Sequence, residues 1–349
     1  MNKIRVAVNG FGRIGRTFFR AAYGRPEFDI VAVNDLGDAK NLAYLLKYDS
    51  VYGRAPFSVE VKTQDRKPVF VLDEKKIVSV LKQKDPRLLP WKELDIDIVV
   101  ESSGVFDSYE KSKAHLESGA KRVVITSPVK DEPIGIHGGT VLMGVNEANL
   151  KTCDISSNAS CTTNAASPLI AILNETIGIE KALLNTVHSY TASQGLVDTT
   201  VKDHDVRRGR AAAHNIVPSS TGAAIAVTKA VTELQGKFDG IAIRVPTING
   251  SITDITFIAK RNTTIKEIND ILKKAAREER WKKIFSVTDE PIVSSDIVGT
   301  TYASIADLSF TRVVDGNLVK VLAWYDNEMG YAHTLAEHVL KSGQYIKGL

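Results

Sequence analysis

The sequence predicts two domains, an α/β domain on a parallel sheet followed by an α+β domain whose sheet is mostly antiparallel. Three observations carry this. At 349 residues the chain is longer than one core usually serves, so two domains are expected. In the first half, short apolar runs alternate with helical stretches, which implies a parallel sheet with right-handed crossovers. In the second half, the segments 251–260 and 318–325 read as antiparallel strands.

Ile4–Asn9 is a short apolar run that reads as a buried parallel strand. Gly10-Phe11-Gly12-Arg13-Ile14-Gly15 follows at once, and residues 17–23 have helical character. Phe28–Asn34 is a second strand ending at Asp35, which lies 20 residues after Gly15. A lone G-x-G-x-x-G is weak. Strand, glycines, helix, strand and acid in this register describe a Rossmann-type dinucleotide site. The glycines permit a tight turn, close approach of backbone to a pyrophosphate, and close packing of helix on strand. The helix start then meets the diphosphate charge. Asp35 is placed to accept ribose hydroxyls, and its charge disfavours a 2′-phosphate, so NAD is preferred over NADP. Residues 57–81 are β-rich segments joined by charged turns and read as an antiparallel excursion. Strands over 96–101 and 122–126 then flank a helix over 109–118.

Cys161 lies in Ser157-Asn158-Ala159-Ser160-Cys161-Thr162-Thr163-Asn164, between a strand end and a helix over 165–173. A cysteine at a helix start faces unpaired N–H groups and the positive end of the dipole, and both favour thiolate. His188, 27 residues on, is the candidate base. The competing reading is a buried structural cysteine, against which stand the hydroxyls and asparagines on both sides. A strand over 182–190 leads into a long polar connection, 191–215, whose length points to function or an interface. It carries Arg207-Arg208-Gly209-Arg210. Pro218-Ser219-Ser220-Thr221-Gly222, before an Ala-rich helix, reads as a hydroxyl-rich helix start suited to an anion. Arg244, inside a strand over 241–246, is either paired or awaiting an anionic ligand.

Composition narrows the classes. Charged residues at 25% and hydrophobics at 43% suit an ordinary soluble globular protein, and no run of 18 apolar residues indicates a membrane span. The chain enters its first strand without a signal-peptide pattern. Two cysteines are too few for a disulfide framework and lack the partners of a zinc site, so no metal is expected. A free thiol favours a reducing compartment, and the expected location is cytoplasmic. The net charge of +4 suggests mild attraction to anions. The basic residues are scattered, so nucleic acid is not indicated and small phosphorylated ligands are expected. Cys153 reads as a strand-packing residue. His137, His204, His214, His333 and His338 have no spaced partners and read as surface or structural. Arg207 and Arg210 read equally as ligand contacts or subunit salt bridges.

Taken in order, Asn9-Gly10-Phe11-Gly12-Arg13-Ile14-Gly15-Arg16, the Ser157–Asn164 segment, His188-Ser189-Tyr190-Thr191, Ser219-Ser220-Thr221-Gly222-Ala223-Ala224, Arg244-Val245-Pro246-Thr247 and Trp324-Tyr325-Asp326-Asn327-Glu328 closely resemble phosphorylating glyceraldehyde-3-phosphate dehydrogenase from end to end. The resemblance implies oxidation of glyceraldehyde 3-phosphate with phosphate and NAD to 1,3-bisphosphoglycerate, through a thioester on Cys161 with His188 as base. It implies that Thr191 and Arg244 hold the substrate phosphate. Ser160, Thr162, Thr221, Gly222 and Arg208 would hold the attacking phosphate. Asn9, Gly10, Gly12, Arg13 and Ile14 would line the nucleotide, with Asp35 on the adenine ribose and Ser127 on the nicotinamide side. Asn327 would orient the carboxamide, with Tyr331 packing nearby. It further implies an NAD-binding domain of residues 1–160 and 328–349, a catalytic domain of 161–327, and a homotetramer with subunit contacts in 191–215.

Three departures stand out: Ala165 where many members have a second cysteine, Met329 where they often have tryptophan, and Asp198-Thr199-Thr200 where strictly NAD-dependent members carry Leu-Pro. The last resembles NADP-tolerant members, whereas Asp35 and Leu36 resemble NAD enzymes. NAD is therefore expected as the preferred cofactor and NADP as a tolerated one. Two rival functions are oxidation of erythrose 4-phosphate and a vestigial enzyme serving as a nucleotide or RNA binder. The intact Ser-Ser-Thr-Gly and His-Ser-Tyr-Thr segments weigh against the first, and the intact Cys161 and His188 against the second.

Overall fold

The computed structural model describes residues 3–201 and 205–348, so His204 lies outside the described residues. The chain forms two compact units. The first runs up to Val141, then takes Asn146–Ala159 and everything from Leu335; the second holds Leu142–Val145 and Ser160–Thr334.

In the first unit the order is β1 (Ile4–Asn9), α1 (Arg13–Ala22), β2 (Phe28–Asn34), α2 (Ala39–Lys47) and a short ribbon, β3 (Tyr48–Asp49) with β4 (Gly53–Arg54). The antiparallel run β5 (Val59–Gln64), β6 (Lys67–Leu72) and β7 (Lys76–Leu81) follows, then β8 (Ile98–Glu101), α3 (Tyr109–Glu117), β9 (Arg122–Ile125), β10 (Gly138–Thr140) and β11 (Ile155–Ser157). One nine-stranded sheet has the order β10-β11-β9-β8-β1-β2-β7-β6-β5. It is parallel from β10 through β7; β6 pairs antiparallel with β7 and β5 antiparallel with β6, so among these strands β6 alone runs against the rest, within the antiparallel excursion expected over 57–81. The central strands are apolar on both faces, as a sheet covered on both sides requires. Trp91, Ile96, Val99, Tyr109, Val123 and Ile125 form part of the core on one face.

The second unit contains α4 (Cys161–Thr176), β12 (Ile179–Ser189), β13 (Val217–Ser220), α5 (Ala223–Thr228), β14 (Phe238–Val245), β15 (Ser251–Ala259), α6 (Ile265–Ala275), β16 (Phe285–Thr288), β17 (Ser304–Val314) and β18 (Leu318–Tyr325). Their sheet order is β13-β14-β12-β15-β18-β17-β16. It is mostly antiparallel, with two parallel pairs, β12 with β14 and β16 with β17. Helix α4 lies on this sheet and against α6, buried from Thr162 to Leu173. It begins at Cys161, four residues earlier than the periodicity suggests, because Ser160 caps it by accepting the Thr163 N–H at 3.1 Å. The hydroxyl-rich helix start expected at 218–222 is corrected. Pro218, Ser219 and Ser220 belong to β13, paired antiparallel to β14, and only Thr221 and Gly222 lead into α5.

The last helix, α7 (Met329–Lys347), contains the division between units. A Cβ on Gly330 would come within 2.4 Å of the Tyr302 carbonyl oxygen, so the first turn is seated on the second unit. Gly343 is as tightly seated on Ile4 of the first. In the structure the divisions fall at Ala159/Ser160 and Thr334/Leu335.

The end of α7 is pinned by charge. Asp97 is fully buried and meets Lys121 and Lys347, each at 2.8 Å, and the Arg5 N–H at 2.8 Å. Burial raises its carboxyl, but the hydrogen bonds from Arg5, Lys121 and Lys347 outweigh it and hold the group below the usual carboxylate range. A depressed folded-state pKa stabilises the fold above the unfolded value, near 3.9, and that contribution disappears as pH falls through the folded one. Asp97→Asn should cost about 2 kcal/mol at pH 7. Chemical denaturation should show the gap to wild type closing as pH drops below about 4.

Candidate active site

The second unit places two reactive side chains together. Cys161 is the first residue of α4, and its Sγ lies 3.3 Å from Nε2 of His188 near the end of β12. His188 is buried, and its Nδ1 donates to the Ser189 carbonyl at 2.7 Å. Arg244 NH1, which can only donate, also lies 2.9 Å from Nδ1, but it has the same carbonyl as an acceptor at 3.1 Å; with the shorter Ser189 contact taking the Nδ1 proton, the Nε2 lone pair faces the sulfur. Beneath them, Tyr325 sets its ring edge-on to the imidazole at 5.9 Å. Its hydroxyl bridges Thr162 and Thr186, each at 2.8 Å.

The expectation of a standing thiolate needs correction. Burial pushes the Cys161 thiol up, and the Arg244 charge together with the hydroxyl and N–H of Thr162 and the N–H of Cys161 only partly offset it. Burial, then Arg244, pushes His188 down to about 3. The helix start alone does not ionise the sulfur. Passing its proton to Nε2 creates two opposite charges 3.3 Å apart, which attract each other. Thiolate and imidazolium therefore form together.

Arg244 follows from register. Parallel pairing of β12 with β14 sets it directly beside His188, and its NH1 reaches the Ser189 carbonyl at 3.1 Å. Burial pushes its guanidinium down, and its Nε is buried with no hydrogen-bond partner among the described residues. Arg208 donates through Nε to the Ser219 hydroxyl at 2.8 Å, and its charge also bears on His188. Among the described residues neither arginine has a carboxylate partner. Two such cations beside one imidazole leave positive charge that an anionic ligand would balance. Arg207 and Arg210, by contrast, are held by Asp205 and Asp198, each at 2.9 Å. Thr191 bonds Ser193 at 2.9 Å, just after Tyr190, whose N–H meets the Thr247 carbonyl where β14 ends. Thr221 accepts the Ala223 N–H at the start of α5, and Gly222 beside it is open. Ser160 is occupied as the α4 cap.

Asn327 is fixed through one atom. Its Oδ1 accepts from Ser189, Ser251 and the Gly250 N–H at 2.9, 3.0 and 3.1 Å. Its Nδ2 has no partner among the described residues and is left for a ligand. Tyr331 is buried two residues into α7.

In the first unit, the three glycines divide their work as the motif predicts. Gly10 has φ +89°, and a Cβ there would strike the Ser103 nitrogen at 2.3 Å. One on Gly15 would meet the Gly10 carbonyl at 2.2 Å, whereas nothing lies within 4 Å of one on Gly12. Gly12 is thus the open side of the turn at the start of α1, the kind of helix N-terminus that suits a pyrophosphate. Arg13 turns its side chain to Asp49, so it and Ile14 would meet that group through backbone. Asp35 accepts from the N–H groups of Phe11 and Gly37 at 2.7 and 2.8 Å, with lone pairs left for ribose hydroxyls. Asn9 is buried and spends its side chain on Glu101 and Asn34, so it shapes the loop from below. Ser127 gives its carbonyl to Ser157 at 2.7 Å.

Cys153 and His338 take structural places, and His137 lies at the surface. Cys153 is buried two residues before β11, not within a strand, and burial pushes its thiol up. His338 is buried against Ser156 and Asn158, and His137 is an exposed neighbour of Asp154. Sequence reasoning missed Tyr325 as the floor beneath Cys161 and His188, and His115 as a buried partner of Glu101. Neither has a local spacing signal, since Tyr325 reaches Thr162 across 163 residues.

Parallel sheet, glycine turn and acid in one unit, with a cysteine–histidine pair beside two arginines that have no carboxylate partner among the described residues in the other, are the features of a dinucleotide-binding oxidoreductase. Residues 4–109 match the family model for the NAD binding domain of glyceraldehyde 3-phosphate dehydrogenase, and residues 160–327 match its C-terminal domain. The chain belongs to the glyceraldehyde-3-phosphate dehydrogenase family. It is 50% identical to glyceraldehyde-3-phosphate dehydrogenase of Thermotoga maritima over 95% of this chain and 97% of the relative. The corresponding values are 46%, with 96% of each chain, for the protein of Geobacillus stearothermophilus. For that of Mycolicibacterium smegmatis they are 47%, with 98% and 99%.

If His188 holds the proton that ionises Cys161, its loss must make the thiolate harder to form. The pH midpoint for alkylation of Cys161 by iodoacetamide should move upward in His188→Asn, beyond the ordinary thiol value of about 8.5. An unchanged midpoint would show that the helix start suffices.

Proposed function

We propose that this chain catalyses phosphorylating, NAD-dependent oxidation of glyceraldehyde 3-phosphate to 1,3-bisphosphoglycerate. The observation that carries the reading is the 3.3 Å contact of Cys161 Sγ with His188 Nε2, beside Arg244 and Arg208, which have no carboxylate partners among the described residues. The Sγ–H proton passes to Nε2 as sulfur bonds to the aldehyde carbon, and the imidazolium returns it to the oxygen, giving a hemithioacetal. Bound NAD supplies the hydride acceptor for the oxidation. His188 takes the hydroxyl proton as the carbon becomes a thioester on Cys161. Inorganic phosphate then attacks the thioester carbon, the C–S bond breaks, and the departing sulfur regains a proton from His188.

Arg244 and Thr191 would hold the phosphate of the substrate, while Arg208, Thr221, Gly222, Thr162 and Ser160 serve the attacking phosphate. The Gly10–Ile14 turn and Asp35 would hold the dinucleotide, with Ser127 towards the nicotinamide, and Asn327 Nδ2 is the donor left for a carboxamide. The long connection after β12 exposes Leu196, Val197 and Val206, and Ile216 just beyond it, an apolar edge that supports subunit contacts in a homotetramer. Among the described residues no helix is long and apolar enough to cross a membrane. A cytoplasmic location is proposed from the free nucleophilic thiol.

Reduction of NAD should require both glyceraldehyde 3-phosphate and inorganic phosphate. A preference for erythrose 4-phosphate without phosphate, or no turnover, would overturn the reading. Cys161→Ser should lose about 10³-fold or more in turnover while still binding NAD. As for cofactor choice, NAD should show the higher kcat/KM with NADP tolerated, because the Asp35 charge opposes a 2′-phosphate. An NADP preference would contradict that assignment.

A further inference from the structure

Beneath the glycine turn of the first unit, a buried chain of polar side chains crosses the ends of adjacent parallel strands. Glu101 ends β8, Asn9 ends β1 and Asn34 ends β2, and strand register sets the three side by side. Glu101 Oε2 accepts from Asn9 Nδ2 at 2.6 Å and faces His115 Nε2 at 2.9 Å. Asn9 Oδ1 accepts from Asn34 Nδ2 at 2.7 Å. Asn34 in turn clasps Gln83, just beyond β7, accepting its N–H at 2.8 Å and donating to its carbonyl at 2.9 Å. All three strand-end residues, and His115 on α3, are buried. Trp91 fixes the direction of the chain. Its indole N–H donates to His115 Nδ1 at 3.0 Å, so the other ring nitrogen carries the hydrogen and donates to Glu101.

We propose that this ladder is a positioning device for the nucleotide turn, with Glu101 as its key residue; the inference rests on the NAD-binding reading of this unit. The contacts lead from Glu101 to the turn itself. Glu101 Oε1 accepts both the N–H and the hydroxyl of Ser103, at 2.8 and 2.5 Å. Ser103 is the residue against which Gly10 is packed with no room for a Cβ. Ser102 donates its hydroxyl to the Gly10 carbonyl at 2.7 Å, and Gly10 donates its N–H to the Asn34 carbonyl at 2.8 Å. At the other end, the residue after Asn34 is Asp35, which holds the Phe11 N–H. Both walls of the turn thus hang from one hydrogen-bonded row.

Glu101 suits this role because a carboxylate only accepts. Four donors converge on its two oxygens, from Asn9, His115 and twice from Ser103. A glutamine of the same shape would present an N–H₂ to one pair of donors and leave buried groups unpaired. Replacing Glu101 should therefore loosen the turn without touching the cysteine chemistry of the other unit.

The test compares Glu101→Gln, Asn34→Ala and the double variant with wild type, measuring NAD affinity by titration and alkylation of Cys161 by iodoacetamide without NAD. The expected result is an NAD Kd about tenfold higher in each single variant. The double variant should lose less than the product of the two, as members of one network do. Alkylation should stay within about twofold of wild type, a split that general destabilisation would not give. Unchanged NAD affinity in a folded variant, full additivity, or joint loss of affinity and alkylation would each overturn the proposal. Should Glu101→Gln not fold, Asn34→Ala at the uncharged end decides by the same two readouts. Failure of wild type to bind NAD would instead remove the underlying NAD reading.

Discussion

A proton can move between Cys161 Sγ and His188 Nε2 only while the two atoms stay about one hydrogen bond apart, and much of the second unit maintains that separation. The sulfur is fixed because Ser160 ends the preceding segment and starts α4 at the cysteine. The imidazole is fixed at three points: its β12 backbone, the Ser189 carbonyl on Nδ1, and the edge-on ring of Tyr325. Tyr325 is itself tied to both elements through Thr162 and Thr186. Helix and sheet therefore share one hydroxyl network under the reacting atoms.

The electrostatics run against a permanently charged site. Burial penalises the thiolate, the imidazolium and the Arg244 guanidinium alike. Arg244 remains charged because guanidinium cannot give up its proton in practice, whereas cysteine and histidine share theirs. The outcome is a neutral pair beside fixed positive charge, an environment that favours negative charge developing on sulfur and oxygen during attack. The same positive charge suits phosphate groups. Ser189 and Ser251, by pinning Asn327 through its oxygen, illustrate the same economy: one atom is fixed so that another faces outward.

Much of this was legible in the sequence where local pattern and chemistry coincide. The strand–glycine–helix–strand–acid order placed β1 and β2 to the residue, whereas α1 begins at Arg13, four residues before the helical character read from residue 17, because the third glycine of the motif, Gly15, lies inside its first turn. Cys161 and His188 were legible from residue type and context. The start of α4 was set late because Pro168, inside the helix, and the polar Thr162-Thr163-Asn164 disguise its periodicity, while the Ser160 cap that decides it is a single hydroxyl. Ser219 and Ser220 read as a helix start because hydroxyls favour caps, yet pairing with β14 made them a strand. Tyr325, His115 and the state of the sulfur were out of reach. The first two depend on partners far away in sequence, and the third on burial, which local sequence does not report.

The central claim is that the carbonyl carbon becomes bonded to one sulfur during turnover, and trapping that bond tests it most directly. The protein, mixed with NAD and glyceraldehyde 3-phosphate without inorganic phosphate, can be quenched in acid and its peptides weighed by mass spectrometry. The acyl group should sit on the peptide containing Cys161 and vanish when phosphate is added before the quench. An enzyme that turns over fully while this peptide stays unmodified, or that carries the group elsewhere, would contradict the account.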